Sequence, residues 1–258
     1  EIQKLMGESL ANYQPKMKYP IQWKLDSTKF KMIDFKGFEA GKKPSLVSGK
    51  PRLFYDRSKP FTRKVKFYDQ YIPTKEIAIP SYYVIRQSEQ KVLQYLKRNN
   101  IAMKVIEQDS TIFAQQYMVS DYKTVKNPYE GHYLHYDTQV NSENKNVKFR
   151  KGDVLVSTKQ DGVKYLLETL EPEATDSFFN WNFFDAILGQ KEYFSDYVFE
   201  DTAAELLKNN QVLKTALEFE KIANPDFAKN GDAQLEYIYK HSEYYEGSVG
   251  LYPIYRIL

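Results

Sequence analysis

The 258-residue chain contains no cysteine. This absence excludes disulfide bonds, zinc sites built on thiolates and catalysis by a cysteine nucleophile. Histidine is also scarce, with three residues, and neither an HxxE nor an HExxH pattern occurs. The sequence therefore gives little signal for a metal site.

Long hydrophobic runs and charge of one sign are missing as well. No run approaches the roughly 18 apolar residues of a membrane span, and no signal peptide opens the sequence. The 37 basic and 34 acidic residues give a net charge of +3. The basic stretch 24–43 is interrupted by Asp26, Asp34 and Glu39, whereas nucleic-acid-binding proteins carry a more one-sided charge. The sequence thus argues against a membrane span and against nucleic acid as a partner.

Aromatic residues are abundant, at 16% of the chain, and 22 of them are tyrosine. Tyrosine in strands and half-buried cores is the ordinary explanation. Tyrosine also lines wet binding crevices, because its ring is apolar and its hydroxyl is polar. Both interpretations stay open at this point.

Patterns of hydrophobicity predict an α+β fold. Residues 1–14 are typical of the tail of a helix or a linker from a preceding domain, and 15–75 form a β-rich first region. The α+β domain, 76–258, should contain a mixed sheet with a βαβ unit at 76–160. A mainly helical region at 161–245 is expected to pack on this sheet, and a closing strand at 249–258 returns to it.

The segment LLETLEPEATDSFFNWNFFDAILGQ, residues 166–190, places five aromatic residues within 178–184. If Asp176 or Ser177 caps a helix, two adjacent apolar stripes follow from the helical spacing. These stripes are Phe179, Phe183 and Ile187, and Trp181, Phe184 and Leu188. The pattern predicts a helix buried on most sides, with an aromatic ligand cage as the alternative. The polar residues between the rings must then find buried partners or line a crevice.

Candidate binding residues cluster near this segment and near EGHYLHYD, residues 130–137. They are Glu130, His132, His135, Asp176, Trp181, Asn182 and Asp185. We expect His132 to fix a turn after Gly131, and His135 to be exposed or bonded to Asp137. No GxSxG elbow occurs, and pairs of carboxylates can be drawn from any chain with this many acids. We therefore assign no catalytic residue and no metal ligand.

The sequence LEPEATDSFFNWNFFD resembles a signature in the carboxyl-terminal part of large bacterial zinc carboxypeptidases of the carboxypeptidase A type. Other segments follow in the same order: YDRSKPFTRKVKFYDQYIPTKEIAIPSYYVI, PYEGHYLHYDTQV, KGDVLVSTKQDGVKYLLETLEP, KEYFSDYVFED and a terminal YPIYR. The resemblance covers nearly the whole chain from Tyr19 onward. The opening EIQKLMGESLANY resembles the last helix of the preceding catalytic domain or the linker after it.

In that family an HxxE pair and a distant histidine hold the zinc, a glutamate acts as general base and an arginine grips the substrate carboxylate. These motifs belong to the amino-terminal domain and have no counterpart here. The resemblance therefore implies a non-catalytic accessory module of a metallopeptidase, with no cofactor in this chain and zinc in the missing domain. It also implies a periplasmic or secreted location, with the preceding peptidase domain and peptide substrate as partners.

Two alternatives stay open. An independent module could bind peptide or glycan through exposed aromatics, in a groove lined by Tyr133, Tyr136, Tyr244 and Tyr245. A hydrolase could have its own site around Glu130, His132 and Asp176.

Overall fold

A computed structural model describes residues 13–191 and 193–258. The strands are β1 (Lys18–Leu25), β2 (Lys31–Pro44), β3 (Pro51–Phe67), β4 (Tyr71–Ala78), β5 (Tyr82–Ile85), β6 (Lys104–Val105), β7 (Ser110–Thr124), β8 (His135–Phe149), β9 (Val154–Ser157) and β10 (Leu251–Ile257). The helices are α1 (Gln90–Arg98), α2 (Val163–Leu170), α3 (Asp196–Asn209), α4 (Gln211–Ala223), α5 (Pro225–Ala228) and α6 (Gly231–Lys240). Sheets followed by helices confirm the predicted α+β class. The helix tail predicted at 1–14 lies, apart from its last two residues, outside the described part.

The described residues divide into two compact units. One unit is Lys18–Ile77, which holds the antiparallel hairpin of β2 and β3 and a two-stranded sheet of β1 and β4. The other unit comprises the rest of the described chain, with a six-stranded sheet and the helices. Each unit therefore has its own hydrogen-bonded framework.

The β2–β3 hairpin is long, since β2 has 14 residues and β3 has 17. Its register runs from Lys31 opposite Phe67 to Pro44 opposite Pro51, with a bulge after Phe38. Both strands are edges of a two-stranded sheet. This arrangement tolerates proline, because an edge strand has backbone positions that need no ladder partner.

The six-stranded sheet has the order β6-β9-β5-β10-β7-β8. Every pairing in it is antiparallel, so the predicted mixed sheet is wrong. The β5–α1–β6 segment is still a βαβ unit, because β5 and β6 both run antiparallel to β9 and hence parallel to each other. The later strand β9 lies between them and makes the unit a split one. The closing strand β10 pairs with β5 and β7 in the middle of the sheet.

Residues in the centre of the sheet are buried on both faces. Val84 packs with Ala114, Val147, Phe149 and Tyr255. Its neighbours in β5 point to the opposite face, since side chains alternate along a strand, and they too are fully buried. A strand without a polar face is typical of a central position.

The helices from α3 to α6 build a separate hydrophobic core. Its buried residues come from three of these helices: Phe199, Ala203, Leu213, Leu217, Leu235, Ile238 and Tyr239. Asn210, Asn224 and Asn230 cap α4, α5 and α6, and each side-chain oxygen accepts a backbone N–H from the first turn. Asparagine suits these joints because it satisfies donors that a helix start leaves unpaired.

None of the helices in residues 13–191 and 193–258 combines the length and the apolar character that a membrane crossing requires.

Candidate functional site

The aromatic loop, which we define as residues 171–188, is not the helix that its hydrophobic spacing predicts. It is a series of turns that ends in a short 3₁₀ turn at Asp185–Ile187. Ser177 and Asn180 bond the loop backbone through their side chains, and this local bonding competes with a helical ladder. Asn182 has φ 63, a left-handed conformation that no α-helix contains. The predicted burial is nevertheless largely present, since Phe178, Phe179 and Phe184 are buried.

Asn180 holds the loop together. Its Nδ2 donates to the carbonyls of Ala174 (2.9 Å) and Thr175 (3.3 Å), and its Oδ1 accepts from Thr138 Oγ1 (2.8 Å). Its backbone oxygen accepts from His135 N (2.9 Å). The side chain is buried, so each of these bonds replaces one that water would otherwise supply. Asn180 thereby ties the loop to the beginning of β8.

His135 makes the second tie between β8 and the loop. Its Nδ1 lies 2.9 Å from Thr124 Oγ1 and its Nε2 lies 3.1 Å from Asp185 Oδ1. The ring contacts Phe179 and Tyr122, at centroid distances of 5.1 and 4.7 Å. The expectation that His135 is exposed or bonded to Asp137 is wrong, because the ring is buried and Asp137 instead pairs with Lys123.

Asn182 lies against the same imidazole. Its Nδ2 donates to Tyr133 O (2.8 Å) and lies 3.2 Å from His135 Nε2. Its Oδ1 is buried and has no hydrogen-bond partner among the residues that the structure describes. The two strained features of Asn182, positive φ and an unpaired oxygen, thus occur beside the most enclosed histidine.

Trp181 forms the outer surface of the loop. Its Nε1 donates to Asp176 Oδ1 (2.6 Å), and its ring contacts His132 edge-on at 5.5 Å. The ring of Tyr129 lies 6.4 Å away. His132 also pairs with Tyr129 through backbone bonds, which close the turn at Gly131. The backbone of His132 thus closes this turn, while its ring lies against Trp181.

Six of the seven predicted binding residues contact at least one other member of the set. His135, Asn182 and Asp185 form one group, and His132, Asp176 and Trp181 form another. Glu130 is exposed in the turn, with φ 49.

The four tyrosines proposed for a groove occupy two different environments. Tyr133 and Tyr136 are exposed at the beginning of β8, next to the aromatic loop. Tyr244 is also exposed and Tyr245 is half-buried, and their rings contact Phe199 and Tyr239 beside the helical core. The four tyrosines are thus divided between two environments.

A buried ion pair lies at the other end of the loop. Arg256 Nε is 3.0 Å from Glu171 Oε1, and both side chains are almost completely enclosed. This contact is electrostatic, because the Nε–H makes no directed hydrogen bond. Tyr83 donates its hydroxyl to the same carboxylate oxygen at 2.5 Å. Arg256 also donates to Tyr117 Oη (2.6 Å) and to Ala78 O.

Burial sets the protonation equilibria of this centre. Burial raises the pKa of Glu171 above 4.5, although Arg256, Tyr83 and Tyr117 favour the ionised form. Burial alone would lower the pKa of Arg256, but Glu171, Tyr117 and Tyr83 together outweigh it and the pKa is raised. Each ion thus depends on the other to stay charged.

The sequence interpretation missed Arg256 and gave Glu171 no specific role. A usable signal exists at both positions. Arg256 is the single charged residue in the apolar strand LYPIYRI, and Glu171 follows the buried helix VKYLLETL. A charge in a buried element needs a partner of opposite sign. The sequence therefore contained the signal for a pair of Arg256 and Glu171.

The chemistry open to these groups is limited by access. Thr124, His135 and Asp185 follow the hydroxyl–imidazole–carboxylate order of a hydrolase triad. The His135 side chain is only 5% exposed, however, and Thr124 lies directly opposite it in the β7–β8 ladder. The arrangement therefore connects the β7–β8 strand pair to the aromatic loop. Nowhere in residues 13–191 and 193–258 do three or more His, Asp or Glu side chains gather as a potential metal site.

Comparison with known proteins identifies no matching family model, no matching curated protein and no matching solved structure.

Proposed function

We propose that this chain is a non-catalytic accessory module of a zinc carboxypeptidase-like protein. It packs on the peptidase domain or shapes the access of peptides to it. The support is the ordered resemblance of the segments from Tyr19 to Arg256. The zinc and the catalytic residues belong to the peptidase domain in this proposal.

One observation carries the proposal: three segments of the resemblance meet in two buried polar pairs. LEPEATDSFFNWNFFD supplies Glu171 and Asn180, PYEGHYLHYDTQV supplies Thr138, and YPIYR supplies Arg256. Their polar atoms are buried and bind one another. A catalytic group must reach a substrate, whereas these groups are enclosed. The signature is thus best explained as the specification of a fold.

An exposed apolar strip on α4 is the surface that we assign to the peptidase domain. Val212, Phe219 and Ile222 are exposed there. Beside them is a shallow groove of ≈ 580 Å³, also lined by Ala216 and Tyr237. Contiguous apolar surface of this kind is typical of protein–protein contacts. Export to the periplasm or beyond, as for the family it resembles, belongs to the same proposal.

The test is an assay of the purified chain with a panel of peptides bearing free carboxyl termini, with zinc supplied. We expect no turnover above the buffer rate and no stoichiometric zinc binding by calorimetry. Circular dichroism serves as the control for folding. Hydrolysis by the folded chain, or tight binding of one zinc ion, would refute the proposal. The coding region upstream of Glu1 should encode an HxxE-bearing domain.

A second candidate is a module that binds peptide or glycan, favoured by the exposed ring of Tyr129 beside Trp181 and by the exposed rings of Tyr133 and Tyr136. The same peptides, and cell-wall oligosaccharides, should then quench Trp181 fluorescence without being cleaved. An unchanged signal at saturating ligand would leave only the accessory role.

A further inference from the structure

The turn of the β2–β3 hairpin carries two apolar side chains that touch nothing. Leu46 is 100% exposed and Val47 is 98% exposed. Single exposed apolar residues are normal on a protein surface. Two adjacent aliphatic residues at the end of a long hairpin are a different case, because a surface that approaches the end of the hairpin meets them first. We call residues 42–52 the hairpin tip.

The backbone of the tip is hydrogen-bonded within itself. Ser45 Oγ accepts from the N–H groups of Val47 (3.2 Å) and Ser48 (3.3 Å). Ser45 O accepts from Gly49 N (2.9 Å), and Lys50 N donates to Ser48 Oγ (3.3 Å). Backbone donors that are already paired lower the cost of entering an apolar medium. Five of the six N–H groups in residues 45–50 are therefore already paired when the tip leaves water.

The tip is also strongly basic. It contains Lys42, Lys43, Lys50 and Arg52, and no acidic residue occurs between Glu39 and Asp56. All four cations are exposed. Residues 31–67 hold eleven basic and three acidic residues, a net charge of +8, so the other residues together carry −5. The small net charge of the whole chain thus results from an uneven distribution, in which residues 31–67 are positive and the other residues together are negative.

Strand addition by a protein partner is disfavoured at this point. Pro44 and Pro51 face each other at the last pair of the ladder, and prolines together with lysines on edge strands block further strand pairing. An anionic lipid surface requires no such pairing. It attracts the cations electrostatically and accepts aliphatic side chains without a shaped pocket.

We propose that the hairpin tip binds membranes rich in anionic phospholipid. Leu46 and Val47 enter the boundary between headgroups and acyl chains. Lys42, Lys43, Lys50 and Arg52 lie against the headgroup phosphates.

The test is sedimentation of the full chain with two kinds of vesicles, phosphatidylcholine alone and equal parts phosphatidylcholine and phosphatidylglycerol. We expect at least about tenfold stronger binding to the anionic vesicles, decreasing with added salt. A Leu46→Trp variant should show a blue-shifted emission on anionic vesicles and quenching by brominated acyl chains.

Two tip variants and one control separate insertion from simple charge attraction. Leu46→Ser with Val47→Ser keeps the charge and should weaken binding about tenfold. Replacement of the four cations by Gln should abolish it. Val105→Ser with Val198→Ser removes two aliphatic side chains, 54% and 64% exposed in β6 and α3, and should leave binding unchanged.

Absence of binding to anionic vesicles would overturn the proposal. Binding that depends on the four cations but is unaffected by the loss of Leu46 and Val47 would also overturn it, since the tip would then be a general polyanion site. Equal affinity for a DNA duplex in wild type and in the Leu46→Ser, Val47→Ser variant would identify nucleic acid as that polyanion.

Discussion

At the scale of single residues, the pair of Arg256 and Glu171 places the strongest constraint on the fold. Arg256 lies in β10, in the middle of the sheet, and Glu171 follows the end of α2. Two ions removed from water are costly unless each compensates the other. Their pairing therefore constrains how the last strand and the helix meet, whatever it adds to net stability.

We expect Arg256→Met to lower the free energy of unfolding by about 3–5 kcal/mol at neutral pH, because it leaves Glu171 buried without a cation. The loss should depend on pH. A carboxyl whose folded pKa is raised contributes stability below its unfolded value, 4.5, and loses it as pH rises through the folded value. Removal of Arg256 raises that folded pKa further. In urea titrations, the difference in unfolding free energy between wild type and variant should therefore grow from acid to neutral pH.

The matched control is Arg256→Met combined with Glu171→Leu. Because no uncompensated ion remains, the double variant should recover most of the stability and lose the pH dependence. A double variant as unstable as the single one would show that the hydrogen bonds to Tyr83 and Tyr117 matter more than the charges.

At the scale of elements, the aromatic loop is the part whose secondary structure the sequence pattern predicts wrongly. Phe179, Phe183 and Ile187 have helical spacing, yet no α-helix forms there, and Phe179 is buried while the other two are half-buried. Turn-forming side chains, led by Asn180, fix the backbone instead. A compact loop can bury aromatic rings without forming a helix when most of its buried polar groups are bonded.

Asn180→Ala should destabilise the protein by about 2–4 kcal/mol, because it leaves Thr138 Oγ1 and the carbonyl of Ala174 without partners. Asn180→Asp should cost a similar amount, since it loses both donors and adds a charge. Thermal unfolding checks both variants.

Asn144→Ala, at an exposed position of β8, is the control and should change stability by less than about 0.5 kcal/mol. Equal effects of the Asn144 and Asn180 variants would show that Asn180 does not hold the loop.

At the scale of the whole molecule, the chain leaves and returns to the larger unit at one place. Lys16 N donates to Ile79 O (2.8 Å) and Ile79 N donates to Met17 O (2.9 Å). The unit Lys18–Ile77 is thus an insertion whose two connections are already hydrogen-bonded to each other. Insertions with adjacent ends can be removed without stretching the host backbone.

We expect a variant in which Asn-Gly replaces Lys18–Ile77 to fold, because a two-residue turn closes a gap between antiparallel neighbours. Far-UV circular dichroism should retain the helical signal, and urea unfolding should stay cooperative. The variant should also lose binding to anionic vesicles. A product without cooperative unfolding would show that the larger unit requires the inserted one.

The sequence alone determined the α+β class, the turn beside Gly131 and the burial of most of the aromatic segment. These properties depend on composition and on neighbours within a few residues. Tertiary structure alone decided that the sheet is antiparallel, that β9 lies between β5 and β6, and that Glu171 meets Arg256. It also decided that Asp185 rather than Asp137 is the partner of His135. Such choices join residues that are distant in the chain, and only the folded arrangement of the elements brings the paired groups within bonding distance.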